Sequence, residues 1–78
     1  MKEMTLVLGL EPNKRNIEKM EELKNGNKKM LVVFTGDEEA IRDVLNIRSF
    51  SKIILLEKNL VSLIPSSTLL SKSIVVSE

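Results

Sequence analysis

Glu11 and Asp37 are the carboxylates whose placement could support chemistry. Each follows a short apolar run, Thr5-Leu6-Val7-Leu8-Gly9 and Met30-Leu31-Val32-Val33-Phe34, that reads as a strand. Open parallel sheets bind ligands beyond the carboxyl ends of their strands, so the two side chains would approach each other on one rim. Oxygen ligands of this kind suit Mg²⁺, which needs only one or two carboxylates beside water and substrate phosphate. The turns Gly9-Leu10-Glu11 and Thr35-Gly36-Asp37-Glu38 could also offer backbone N–H groups to an anion. Neither has the spacing of a dinucleotide-binding or P-loop motif, and Asp37, Glu38 and Glu39 would repel a phosphate. Helix capping is the simpler reading: Thr35 and Glu38 have the spacing of a capping box.

Two further clusters carry less. Ser66, Ser67 and Thr68 follow Pro65, but with no His in the chain a Ser nucleophile lacks its usual base. A turn of small polar residues accounts for them. Lys14, Arg15, Lys19, Lys24, Lys28 and Lys29 make the first helix and its exit basic, whereas the second helix is acidic. Nucleic-acid binding would also use aromatic stacking platforms, and the only aromatics are Phe34 and Phe50. The basic residues read as a solvated face, and the opposed polarities suit steering of a charged protein partner.

These residues need elements to position them. Ile17, Met20 and Leu23 form a narrow apolar stripe on a charged helix that starts near Pro12-Asn13 and ends at Asn25-Gly26-Asn27, with Gly26 expected in the left-handed conformation. Met30-Leu31-Val32-Val33-Phe34 and Ile53-Ile54-Leu55-Leu56 are unbroken apolar runs, the pattern of central parallel strands covered on both faces. They are expected side by side, pointing the same way. Ala40, Ile41, Val44 and Leu45 mark a second helix. Leu60, Val61, Leu63 and Ile64 fit a short helix ending near Pro65 or a hairpin strand, and residues 73–77 read as a last strand.

The composition closes off most enzymology. The chain has 78 residues, 42% of them hydrophobic and 29% charged, with no Cys and no His. That excludes thiol chemistry and the usual transition-metal ligands. Twelve basic and eleven acidic side chains leave a net charge of +1, too little for a field that recruits nucleic acid or an anionic membrane. No run approaches the 18 apolar residues of a membrane span, and the N-terminus lacks a signal peptide's apolar core. The expected location is cytoplasmic.

Three resemblances bear on function. The Glu11 and Asp37 arrangement resembles the Toprim nucleotidyl-transfer domain, in which the first strand ends in Glu and a later one in an Asp-x-Asp pair. Here a single Asp37 is followed by Glu38 and Glu39. Lys29-Met30-Leu31-Val32-Val33, Glu39-Ala40-Ile41-Arg42-Asp43-Val44-Leu45-Asn46-Ile47 and Phe50-Ser51-Lys52-Ile53-Ile54 resemble the second half of STAS domains, the fold of anti-sigma factor antagonists. That likeness implies a regulatory protein-binding role. The family's phosphorylated Asp-Ser segment falls at Leu10-Glu11-Pro12-Asn13-Lys14, which has no hydroxyl, so no phosphosite carries over. Gly9-Leu10-Glu11-Pro12 is similar to the Gly-Leu-x-Cys-Pro motif of small sulfur carriers, without the Cys that performs the transfer.

The expectation is one α/β domain over residues 1–78. It is a two-layer β-α-β-α-β-(short element)-β sandwich with a mainly parallel four-stranded sheet. The expected function is non-enzymatic protein interaction, without cofactor or metal, through Thr35, Gly36, Asp37, Arg42, Asp43 and Asn46. The alternatives are a Mg²⁺-dependent phosphate-handling site and a structural subunit. A homodimer is expected through an edge strand, residues 73–77 or 5–8.

Overall fold

β-Branched and leucine-rich runs become strands, and the charged stretches between them become helices. The computed structural model describes residues 3–26 and 29–76. In order these are β1 (Thr5–Gly9), α1 (Lys14–Gly26), β2 (Met30–Phe34), α2 (Glu38–Ile47) and β3 (Lys52–Leu55), then a 3₁₀ helix (Lys58–Leu63), α3 (Ser67–Ser71) and β4 (Ser73–Val75). The four strands form one sheet in the order β2-β1-β3-β4, and every pairing is parallel. Leu6 lies in register with Leu31 on one side and with Ile53 on the other. The α/β class and parallel sheet expected from the sequence are therefore what the chain adopts.

One layer is added to the expected sandwich. From β1 the chain crosses to β2 on one flank, then returns past β1 to reach β3 on the other. Right-handed crossovers in opposite directions place their helices on opposite faces. Strand alternation shows the result. Leu6, Leu8, Ile53 and Leu55 pack with Ile41 and Leu45 of α2, Phe50, Leu60 and Ile64. Val7, Ile54 and Leu56 face the other way and meet Leu23 of α1. Each fully buried Leu or Ile contributes about 1.5–3 kcal/mol. The Cα radius of gyration is 11.5 Å, matching the ~11.5 Å expected for a compact domain of this length.

Four expectations are corrected. Met30–Phe34 is an edge strand, separated from β3 by β1, and all five of its residues are half-buried. Its side chains alternate between the two cores, so an unbroken apolar run reports cover on both faces, not a central position. The converse holds for residues 5–8. They form one of the two inner strands, every residue of β1 is buried, and they are excluded as a dimer edge. Gly26 ends α1 without a positive φ. Finally, α2 is capped by Asp37, whose carboxylate accepts from Glu39 N–H at 3.1 Å, and not by Thr35.

The uncertain stretch after β3 is helical, in two short pieces. Asn27, Lys28 and Ser77, which figured in the expected turn, basic face and last strand, lie outside the described residues.

Candidate functional site

In a doubly wound sheet the ligand crevice opens where neighbouring crossovers diverge, at the carboxyl ends of the strands. Here that point lies between β1 and β3, and the chain's own side chains fill it. Glu57, just past β3, sends its carboxylate Oε2 back to the end of β1, where it accepts from Leu10 N–H at 2.6 Å. The same oxygen accepts from Asn16 Nδ2 at 3.1 Å, and that amide group also donates to Glu11 C=O at 2.8 Å. Arg15 Nη1 donates to Asn16 Oδ1 at 2.9 Å and to Leu56 C=O at 2.7 Å, while its Nη2 reaches Val76 C=O at 3.4 Å.

Local sequence explains how α1 brings these groups together. Asn13 caps the helix, its Oδ1 accepting from Asn16 N–H at 2.9 Å, as an N-cap side chain does for the third residue on. The cap starts α1 at Lys14, so Arg15 and Asn16 lie in its first turn, against the strand ends. Asn16 is 0% exposed and is the one buried residue of α1. A buried amide with all its bonds made is stabilising, whereas one left unmade costs its full desolvation.

Sequence reasoning passed over this cluster. The residue pattern assigns Arg15 to a basic face and gives no role to Asn16 or Glu57. One signal was present: Asn16, Met20 and Leu23 follow the 4, 3 spacing of a single helix face, so a polar residue sat on the apolar stripe. Gly9 belongs to the same corner. A Cβ there would lie 2.8 Å from Phe34 Cε1 and 3.0 Å from Leu56 Cδ1, so only glycine lets the phenyl ring cross the end of β1.

The residues singled out for interaction lie beyond β2. Thr35 is half-buried: its N–H donates to Gly9 C=O at 2.9 Å, extending the ladder, and its Oγ1 accepts from Asp37 N–H at 3.0 Å. Gly36 and Asp37 are exposed, as are Arg42, Asp43 and Asn46 along α2. Asp37, Glu38, Glu39 and Arg42 line one shallow open depression. Arg42 pairs with Glu38 at 3.5 Å with both side chains more than half exposed, a geometry that contributes little. Glu11 and Asp37 follow neighbouring strands, but among the described residues no three Asp or Glu side chains gather closely enough to hold a metal ion. No helix among them is long and apolar enough to cross a membrane.

No protein-family model, curated protein or solved structure matches the chain.

Proposed function

We propose that this domain is a non-enzymatic, regulatory protein-interaction module, in the manner of a reduced anti-sigma factor antagonist. One observation carries the reading. The crevice at which such a sheet would bind a small ligand is occupied by Glu57, Asn16 and Arg15, which bond to one another and to the backbone of Leu10 and Leu56. Recognition then falls to outer surfaces. The polar rim of Thr35, Gly36 and Asp37, continued by Arg42, Asp43 and Asn46, supplies one built on a capped helix. With Glu38 and Glu39 beside Asp37, this rim favours a partner of basic surface. Self-association is the second half of the reading: β4 is an uncharged outer strand whose open edge suits pairing with a second copy.

The test compares capture of cellular partners, identified by mass spectrometry, by three variants. Asp37→Lys is expected to weaken capture, and Lys19→Glu, on α1, to leave it unchanged. Because Asp37 also caps α2, Asp37→Asn removes the charge while keeping a capping acceptor, and it too should weaken capture. Equal effects at positions 37 and 19 refute the placement.

A further inference from the structure

Residues 65–76 contain α3 and β4, and not one of them is buried. Elsewhere the elements packed on the sheet contribute wholly buried side chains, such as Ile41 of α2 and Leu60 of the 3₁₀ helix. This segment offers only partly buried Leu69 and Val76 to the two cores. Ile74 is 51% exposed and Val75 38%. What holds β4 is a three-residue ladder, flanked by Ile53 N–H to Lys72 C=O at 3.1 Å and Val76 N–H to Leu55 C=O at 2.9 Å. Two tethers reinforce it: Arg15 Nη2 to Val76 C=O at 3.4 Å and Lys72 Nζ to Phe50 C=O at 3.3 Å. Segments with few buried apolar contacts open locally, at far less cost than global unfolding.

The strand beneath is different. Ile53, Ile54 and Leu55 are at most 3% exposed, so when β4 lifts, β3 presents an apolar strand with a free edge. We infer that β4 is a detachable strap, and that the opened edge of β3 accepts β4 from a second copy of this chain. The occupant follows from the register already present. Ser73, Ile74 and Val75 fit Ile53, Ile54 and Leu55 residue for residue, and the same three residues of another copy fit identically. Exchange of an identical element is a low-cost route to a dimer. The connection is suited to it: Ile64 (φ −79°, ψ 122°) and Ser66 (φ −141°, ψ 148°) are already extended on either side of Pro65. The segment can therefore swing away without refolding its hinge.

This inference is independent of the rim of α2, and it differs from edge pairing, in which β4 stays on its own β3 and adds a second β4 alongside. Hydrogen exchange on the intact chain tests the opening. The amides of Val76 and Ile53, both bonded across β3–β4, should exchange at similar rates, about a hundredfold faster than that of Leu56, bonded to Leu8 C=O. Equal protection of all three overturns the strap. For the exchange, ¹³C-labelled and unlabelled chains are unfolded and refolded together at high concentration, and the dimer is isolated. Intermolecular contacts between Ile54 and Ile74 are expected. A dimer with only β4-to-β4 contacts, or a chain that stays monomeric, overturns the proposal. The Cys-free background permits a second check: Ile54→Cys with Ile74→Cys, oxidised as monomer, should lose the exchanged dimer, whereas edge pairing would survive the lock.

Discussion

Replacing Asn16 with leucine tests whether the crevice is structural. The substitution keeps the size of the side chain roughly constant and deletes three hydrogen bonds: Nδ2 to Glu11 C=O, Nδ2 to Glu57 Oε2, and Arg15 Nη1 to Oδ1. The first is neutral and worth about 1 kcal/mol; the other two have a charged partner and are worth about 1.5–3 kcal/mol each. The gross loss is then about 4–7 kcal/mol, and burying the leucine returns about 1.5–3 kcal/mol. A net cost of about 1–5.5 kcal/mol follows, centred near about 3 kcal/mol. Against the roughly 4–12 kcal/mol of total stability expected at this length, that is a large fraction.

The chain has no Trp or Tyr, so urea unfolding is followed by far-ultraviolet circular dichroism. The midpoint should fall with the slope unchanged, as for a loss of native stability alone, and Tm should drop by about 10–25 °C. The control is Asn46→Leu on the exposed face of α2, expected within about 0.5 kcal/mol of the parent. If Asn16→Leu costs less than about 1 kcal/mol, the network is not holding the strand ends, and the crevice is not reserved for the fold.

Two further substitutions probe the same frame. Gly9→Ala places a Cβ against Phe34 and Leu56; overpacking of about 1–3 kcal/mol exceeds the entropic gain of about 0.4–1 kcal/mol. The variant should be less stable in urea, with part of the loss recovered by adding Phe34→Leu. Asp37→Ala should cost about 1 kcal/mol as a lost N-cap, read in the same assay, whereas Asp37→Asn should be nearly neutral.

The identity of the elements could be read from the chain because each carries its own period. α2 shows a clean apolar stripe at Ile41, Val44 and Leu45, and β3 an unbroken run. Strand order could not be read in this way. Coverage on both faces is compatible with the centre or the flank of a sheet, and β2 shows it at the flank. The capping residue of α2 is not legible in the sequence, because Thr35 and Asp37 have equally suitable chemistry two residues apart. The difference lies in what each oxygen accepts: Thr35 Oγ1 takes Asp37 N–H, ahead of the helix, whereas Asp37 Oδ1 takes Glu39 N–H in its first turn. Of the crevice residues, Glu57 and Asn16 are 41 positions apart and meet only once β1 and β3 are neighbours.

The two main helices are attached by different physics, and this bears on where function can reside. α2 is held by buried Ile41 and Leu45, a non-directional contact that leaves its outer charges free. α1, whose one buried residue is an amide, is held at its first turn by directional bonds. Directional bonds fix geometry as well as energy, so this attachment sets the orientation of α1 more tightly than its narrow apolar stripe could. Arg15 extends the same network to the carbonyls of Leu56 and Val76, beyond the ends of β3 and β4. A ligand entering the crevice would have to displace groups that anchor α1 and β4 together, and would loosen the outer strand as it bound. The rim of α2 carries no such coupling: a partner can engage Asp37, Arg42 and Asn46 without disturbing a bond that the sheet depends on.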